Sequence, residues 1–267
     1  MKSTIVSKTC TLFFSGVLTI FCLSVCLPSP AFASEQNNPQ SASLAKDMPI
    51  YNPPVNNGEI RRREAGDETA SRGLSRGLTR GKNQNEGKPL SLPSRMSPFA
   101  PQGVGFTSKP QPVLQWYISG PWHLGIEFRL VDADAREDVF STRTDCPVAE
   151  GVYQISLKDH NIRLNPGTEY EWFLIIVPDD EERSGDFVGS GVIKYVEPGN
   201  ALSERLRNTP TDRLHNLYAE QGYWYDAIEN LSQRIHHAGT GDKTFRLHRA
   251  ALLRQVNLPL AAAYDSL

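Results

Sequence analysis

The known signatures of catalysis are missing from this 267-residue sequence. It has no nucleophile-elbow Gly-x-Ser-x-Gly, no His-Glu-x-x-His, no Cys-x-x-Cys pair and no glycine fingerprint of dinucleotide binding. These absences exclude the hydrolase, zinc protease, thiol redox and nicotinamide-dependent classes that rely on those motifs. The sequence therefore favours a protein without enzymatic activity, and it indicates no cofactor.

Cysteine is scarce as well. Cys10, Cys22 and Cys26 lie within the first 33 residues, and Cys146 is the only cysteine after them. Residues 34–267 therefore cannot form an internal disulfide, which excludes a small disulfide-stapled scaffold. We expect Cys146 to be a half-buried residue of a loop or strand end, and a nucleophile or a link to another chain is the alternative.

The sequence has only one long apolar run, Thr11–Leu27, which is 17 residues without charge. Lys2 and Lys8 precede it, and the small residues of Ala31-Phe32-Ala33 follow it. This order predicts a secretory signal peptide over residues 1–33 and export to the periplasm or the extracellular space. An uncleaved membrane anchor or a lipid on Cys26 is the alternative, and no later segment is apolar enough to span a bilayer.

Net charge is almost absent, at −2, but it is unevenly divided. Residues 34–110 carry 11 Lys/Arg against 7 Asp/Glu, whereas residues 111–267 carry 15 against 23. The near-neutral total therefore combines a basic front with an acidic back. It gives no reason to expect a nucleic-acid binder.

Regular apolar periodicity is missing from residues 34–110, which are rich in proline, glycine and arginine. Such a segment cannot bury enough apolar surface to offset its chain entropy, so the sequence predicts a disordered linker. Its short repeats place Arg72, Arg76 and Arg80 beside glycines. We expect a solvated, flexible tether here, and contact of these arginines with an anionic envelope polymer is the alternative.

Strand patterns fill residues 111–198. The predicted strands are 112–118, 123–131, 139–142, 151–157, 170–177 and 188–196. Residues 123–131 alternate apolar and polar side chains, which indicates a strand with one buried face. Short strands at this spacing predict an antiparallel immunoglobulin- or fibronectin-like β-sandwich.

Two motifs favour that sandwich. Leu164 to Tyr170 resembles the tyrosine corner of fibronectin-like domains, in which a tyrosine hydroxyl bonds back across a turn. The strand that contains Trp116 resembles their core-tryptophan strand. We therefore interpret Trp116 and Tyr170 as structural core residues.

Helical patterns fill residues 199–267. The segment Leu217–Ile228 looks like one tetratricopeptide helix hairpin, with Gly222 in its turn and Ala227 where the helices approach. A further helix is predicted over residues 243–256. An exposed edge of Tyr223, Trp224 and Tyr225 would suit a partner protein, and packing within the same chain is the alternative that we favour.

Acidic residues concentrate between positions 179 and 186. Asp179, Asp180 and Asp186 form a weak calcium candidate, because carboxylates in a turn can hold that ion. Their spacing lacks the alternating ligand pattern of calcium loops, and Arg183 stands among them. A solvated loop in which Arg183 pairs with Asp186 is the alternative that we favour.

Five motifs in order resemble one bacterial family, domain of unknown function 928. They are Leu114–Tyr117, Glu127–Asp132, Leu164–Trp172, Arg183–Asp186 and Tyr218–Ala227. The resemblance implies an exported protein and carries over no activity or catalytic residue.

Two functions remain open. The first is a non-enzymatic interaction module of the envelope, with a sandwich body and a helical docking surface. The second is a protein that binds or hydrolyses cell-wall glycans with Asp132, Asp134 and the acids at 179–186. Two carboxylates roughly 5–10 Å apart in one pocket would favour the second.

Overall fold

The computed structural model describes residues 47–54, 61–65, 93–239 and 243–267. In that part of the chain, two β-sheets come first and five helices follow. The strands are β1 (Met96–Pro98), β2 (Val104–Thr107), β3 (Val113–Ile118), β4 (Glu127–Asp132), β5 (Asp138–Arg143), β6 (Gly151–Ser156), β7 (Glu169–Ile176) and β8 (Phe187–Tyr195). The mixed β and α composition predicted from the sequence is confirmed.

The strands form a three-stranded sheet in the order β1-β3-β6 and a five-stranded sheet in the order β2-β8-β7-β4-β5. All neighbours pair antiparallel except β2 and β8, which run parallel. The expectation of a purely antiparallel arrangement is therefore wrong at β2. That strand lies within the predicted linker, so its pairing could not enter the prediction.

Alternation explains the core of the five-stranded sheet. Tyr170, Trp172, Leu174 and Ile176 are all buried, because every second residue of β7 points to the same face. Trp172 lies opposite Gly191 of β8. A Cβ atom at that glycine would lie 2.5 Å from the Ala100 methyl group, so only glycine fits beside the indole.

The predicted core residues are in place. Trp116 and Tyr170 are both buried, and the Tyr170 hydroxyl accepts a hydrogen bond from the Asn165 backbone N–H at 3.1 Å. This bond spans the turn before β7, where the tyrosine-corner resemblance placed it.

The predicted disorder of residues 34–110 is wrong for three stretches. Strands β1 and β2 lie within that range, Tyr51 packs edge-on against Trp224, and the Ala65 backbone N–H donates to the Met96 carbonyl at 3.1 Å. These short pieces have no periodicity of their own and gain order from distant contacts. The remainder of the predicted linker, like the predicted signal peptide, lies outside the described residues.

The helices are α1 (Asn200–Asn208), α2 (Leu214–Glu220), α3 (Trp224–Ala238), α4 (Thr244–Gln255) and α5 (Pro259–Asp265). Helix α4 confirms the further helix predicted over residues 243–256. Gly222 joins α2 to α3 with a φ of +81°, a backbone conformation that favours glycine, and Ala227 is fully buried. None of the helices in the described ranges combines the length and apolar character that a membrane span requires.

Candidate functional site

Three aromatic residues, Tyr223, Trp224 and Tyr225, pack the start of α3 against the sheets. Trp224 Nε1 donates to the Phe99 carbonyl at 2.8 Å. The Tyr225 hydroxyl donates to the Val192 carbonyl at 3.0 Å and accepts from Trp172 Nε1 at 3.0 Å. Since Tyr223 is buried with them, the hypothesis of an exposed aromatic docking edge is wrong. The rings fill the space between helix and sheets, and the polar atoms of Trp224 and Tyr225 find partners there.

A second attachment begins at the next residue of the helix. Asp226 is buried and accepts hydrogen bonds from the Ser108 N–H at 2.8 Å and the Ser108 hydroxyl at 2.6 Å. Burial raises the pKa of Asp226, although these bonds oppose the rise. Lys109 then pairs with Glu229 at 2.8 Å. The loop after β2 is thereby tied to α3.

The end of α3 borders a cleft of about 780 Å³ between the three-stranded sheet and helices α3 to α5. Strands β3 and β6 form one wall and the helices form the other. The polar and aromatic lining includes Gln115, Tyr153, Gln154, Glu229, Ser232, Gln233, His236, His237, Arg246, Arg249 and Tyr264. We take this cleft as the candidate site.

A hydrogen-bond network crosses the cleft from sheet to helices. Gln154 and Gln115 face each other across β6 and β3, and their amide groups lie 3.4 Å apart. Ser232 Oγ lies 2.6 Å from Gln115 Oε1 and accepts from Arg249 Nη1 at 2.8 Å. The network links both walls and therefore holds their separation.

The network ends in a buried ion pair. Arg249 Nε and Nη2 donate to the two carboxylate oxygens of Asp265, each at 2.6 Å. Both residues are buried, and such a two-point contact fixes the orientation of the guanidinium group as well as its position. Removal of one partner would leave a buried charge uncompensated, which is strongly destabilising. The ion pair therefore fixes the position of Arg249 in the lining of the cleft.

Two tyrosines belong to the lining of the cleft. A Cβ atom on Gly151 would lie 3.6 Å from both Tyr153 Cε2 and the Tyr264 hydroxyl oxygen. The Tyr153 ring stacks on Trp116 with centroids 6.4 Å apart, and the Tyr264 ring lies 5.5 Å from that of Tyr117. The core therefore supports both rings from behind.

A buried histidine pair lies elsewhere in the helical region. His215 Nε2 and His248 Nδ1 are 2.8 Å apart, and His215 Nδ1 lies 3.3 Å from Asn230 Oδ1. Burial, together with the nearby His248, lowers the pKa of His215 to about 4. This pair stabilises the packing of three helices while it is neutral.

The acidic residues considered for glycan chemistry are not brought together. Asp132 pairs with Tyr170 near the start of β7, whereas Asp179 and its neighbours follow the end of that strand. Asp132 and Asp179 accept backbone N–H bonds within their own turns. Asp132 and Asp179 therefore lie at opposite ends of β7.

The calcium candidate is weakened in the same way. Arg183 Nε pairs with Asp186 at 2.7 Å, as the favoured alternative predicted, and the Asp180 side chain is 79% exposed. Within the described ranges, no three His, Cys, Asp or Glu side chains group as a metal site would require. The expectation that Cys146 is half-buried is wrong, because this residue is exposed; its thiol donates to the His123 carbonyl at 3.3 Å. Arg72, Arg76 and Arg80 lie outside the described residues.

The cleft was not predicted from the sequence. The sequence contains one signal of it, since Gln115 stands among apolar residues in the segment Val113–Ile118. The structure shows that this glutamine is buried like its neighbours. A buried amide needs hydrogen-bond partners, which points to a polar network beside that strand.

Comparison with curated proteins and with solved structures gives no match. The family model described as Domain of Unknown Function (DUF928) matches residues 68–265. That range includes the strands, the helices and the whole lining of the cleft. The chain therefore belongs to the family of domain of unknown function 928.

Proposed function

We propose that this protein is an exported, non-enzymatic binding module of the bacterial envelope, and that it binds its partner in the cleft. The observation that carries the proposal is the network from Gln154 to Asp265, which joins both walls of an open cleft. A site held at fixed width before its ligand arrives loses little entropy on binding.

Export rests on the N-terminal sequence. The basic residues, the apolar run and Ala31-Phe32-Ala33 together support removal of residues 1–33, which would leave Ser34 as the first residue. The basic repeat with Arg72, Arg76 and Arg80 would then face envelope polymers, whose anionic groups suit arginine.

The finer fold assignment belongs to the same proposal. An immunoglobulin-like sandwich is supported by the strand order of the two sheets and by the Tyr170 to Asn165 bond before β7. A single tetratricopeptide-like unit is supported by the turn at Gly222 and by the buried Ala227. In this arrangement, the helical hairpin serves as one wall of the site.

Glycan binding without hydrolysis is the second candidate. The lining includes the aromatic residues Tyr153 and Tyr264, and Gln154 and Gln233 offer exposed amide groups. These are groups that fix the orientation of a polar ligand in a pocket.

A blocking substitution tests the proposal. Gln233 is exposed on the α3 wall, so Gln233→Trp would fill the cleft while leaving the core intact. Glu204→Trp adds the same side chain to the exposed surface of α1 and serves as the matched control. The full-length gene would be expressed in a bacterial host, and envelope partners of each variant would be captured by cross-linking.

We expect Gln233→Trp to lose the captured partner and Glu204→Trp to retain it. Mass spectrometry of the same samples should find Ser34 as the first residue. Equal capture by both variants would refute a site in the cleft, and a chain that still begins at Met1 would refute signal cleavage. Binding of chitin oligosaccharides in place of a protein would favour the second candidate.

A further inference from the structure

Strand β6 has an open edge beside the cleft. It is the last strand of the sheet in the order β1-β3-β6, and within the described part of the chain no strand pairs with its outer side. Gln154 on this strand is exposed, and Val152 is partly exposed. Such an edge is a template on which another strand can pair.

The ladder shows which backbone groups point outward. Phe99 N–H donates to the Gln115 carbonyl, so odd-numbered residues of β3 bond to β1. Leu157 N–H donates to the Pro112 carbonyl, so the even-numbered residues bond toward β6. In an antiparallel pair these directions alternate. Given the pairing of Trp116 with Tyr153, the N–H and C=O groups of Val152 and Gln154 point away from the sheet.

The composition of β6 leaves this edge unprotected. Its six residues, Gly151–Ser156, include no charge and no proline. The corresponding edge strand of the other sheet, β5, carries Asp138 and Arg143, and its side chains are mostly exposed. Charged residues and prolines are the usual means by which natural sheets prevent pairing at an edge. Of these two edge strands, β5 has that protection and β6 lacks it.

The charges around the cleft indicate what would pair there. Glu229 is held by Lys109 at 2.8 Å, and Asp265 is held by Arg249 at 2.6 Å. Arg246 is 4.0 Å from Asp265, whose oxygens already bond to Arg249, and its side chain is 34% exposed. Glu229 of the lining and the neighbouring Asp265 are thus paired, whereas Arg246, the more distant of the two arginines at Asp265, presents a positive charge to the cleft.

We propose that an extended, acidic segment of a partner protein adds as a strand to β6. Its backbone would bond to Val152 and Gln154, and a carboxylate would reach Arg246 across the cleft. Main-chain bonds would provide affinity, and the side chains would provide specificity. This inference rests on the proposed function, since it names the chemistry of the partner that the cleft would bind.

Substitutions at Gln154 test strand addition. Gln154→Pro removes an outward N–H without touching the ladder to β3, and proline is tolerated at an edge when its nitrogen faces solvent. Gln154→Thr keeps the N–H and removes only the amide side chain, so it is the matched control. Arg246→Gln tests the charge, with Arg254→Gln, an exposed position of the same helix, as its control.

The probe is a phage-displayed library of random heptapeptides, panned against the purified full-length chain. We expect enriched peptides that alternate β-branched and acidic residues. Fluorescence anisotropy should show that Gln154→Pro weakens the best peptide about tenfold or more, because a hydrogen bond is lost and the edge is blocked. Gln154→Thr should stay within about twofold. Arg246→Gln should remove the preference for acidic peptides, and Arg254→Gln should keep it.

Hydrogen exchange gives an independent measurement on the free chain. The Val152 and Gln154 amides should exchange faster than those of Tyr153 and Ile155, which bond to β3. Slow exchange at Val152 and Gln154 would overturn the open edge. Enrichment of basic peptides, absence of enrichment, or equal binding by Gln154→Pro would overturn strand addition. If Gln233→Trp still abolished partner capture, the cleft would remain a binding site and only the strand-addition mode would fail.

Discussion

Helix α3 has two halves with different surroundings. Every residue of Trp224–Leu231 is buried, whereas each residue of 232–238 is partly or fully exposed. The first half contacts the sheets through its aromatic rings and Asp226, and the second half lines the cleft. One helix thus serves as an attachment at its start and as the wall of a site at its end. Substitutions in the first half should alter stability, and those in the second half should alter binding.

The largest difference between the halves should come from Trp224. Trp224→Ala removes a fully buried ring and its bond to the Phe99 carbonyl, so we expect a loss of about 3–5 kcal/mol in the free energy of unfolding. Gln233→Ala, on the exposed second half, should change that free energy by less than about 0.5 kcal/mol. Urea unfolding followed by fluorescence measures both. Similar losses of unfolding free energy in the two variants would contradict the difference between the two halves of α3.

Acid should weaken the first half through the histidine pair that contacts Asn230. The unfolded His215 binds a proton below its ordinary pKa of about 6.5, whereas the folded residue binds one only near pH 4. The unfolded state therefore holds more protons between these values, and stability falls as the pH is lowered from 6.5 to 4. The contribution of His215 is on the order of 3 kcal/mol over that range.

The histidine effect is isolated by comparing pH profiles. The free energy of unfolding would be measured by urea at steps between pH 7 and pH 4. His215→Gln should flatten the profile in this window, whereas His123→Gln, at an exposed position, should leave it as in the wild type. An unchanged slope in His215→Gln would show that other groups cause the loss.

A smaller effect should come from the Tyr225 hydroxyl. Tyr225→Phe leaves the buried Trp172 Nε1 and the Val192 carbonyl without this partner, so we expect a loss of about 1–3 kcal/mol. Tyr153→Phe at the cleft removes a hydroxyl that bonds only to the exposed Ala149 backbone, and it should cost less. The urea unfolding midpoints of the two variants measure this difference. An equal loss in the free energy of unfolding would mean that burial of the hydroxyl does not matter.

The strands with long alternation could be predicted from the sequence. The predicted ranges for β3, β5, β6, β7 and β8 differ from those observed by at most one residue at each end. The strand predicted over residues 123–131 begins only at Glu127, and Leu124, expected in the core, is 44% exposed. A local pattern shows that a face can be buried, but it does not show where the neighbouring strand ends.

Strands β1 and β2 could not be predicted, for a different reason. Each has only three or four residues, and prolines lie in or near both. Their order comes from β3 and β8, which are close in space and distant in sequence. Local propensity carries little information about such pieces.

The site was harder to predict than the fold. Gln115 and Ser232 are separated by 117 positions, and their contact exists only because α3 lies against β3. The aromatic segment Tyr223–Tyr225 was recognised, but composition alone could not distinguish a partner surface from a contact with the chain's own sheets. The distinction depends on the positions of Phe99 and Val192, which hydrogen-bond to the aromatic side chains.

The bonds of residues 61–65 cover the outer side of β1. Both backbone N–H groups of Ala65 and Met96 donate to the partner's carbonyl, at 3.1 and 3.2 Å. Two residues earlier, the Arg63 N–H donates to the Ser190 carbonyl of β8 at 3.1 Å. One short segment therefore joins an edge of the three-stranded sheet to the five-stranded sheet. A partner strand that adds to the three-stranded sheet consequently has, in the described part of the chain, only the β6 edge open to it.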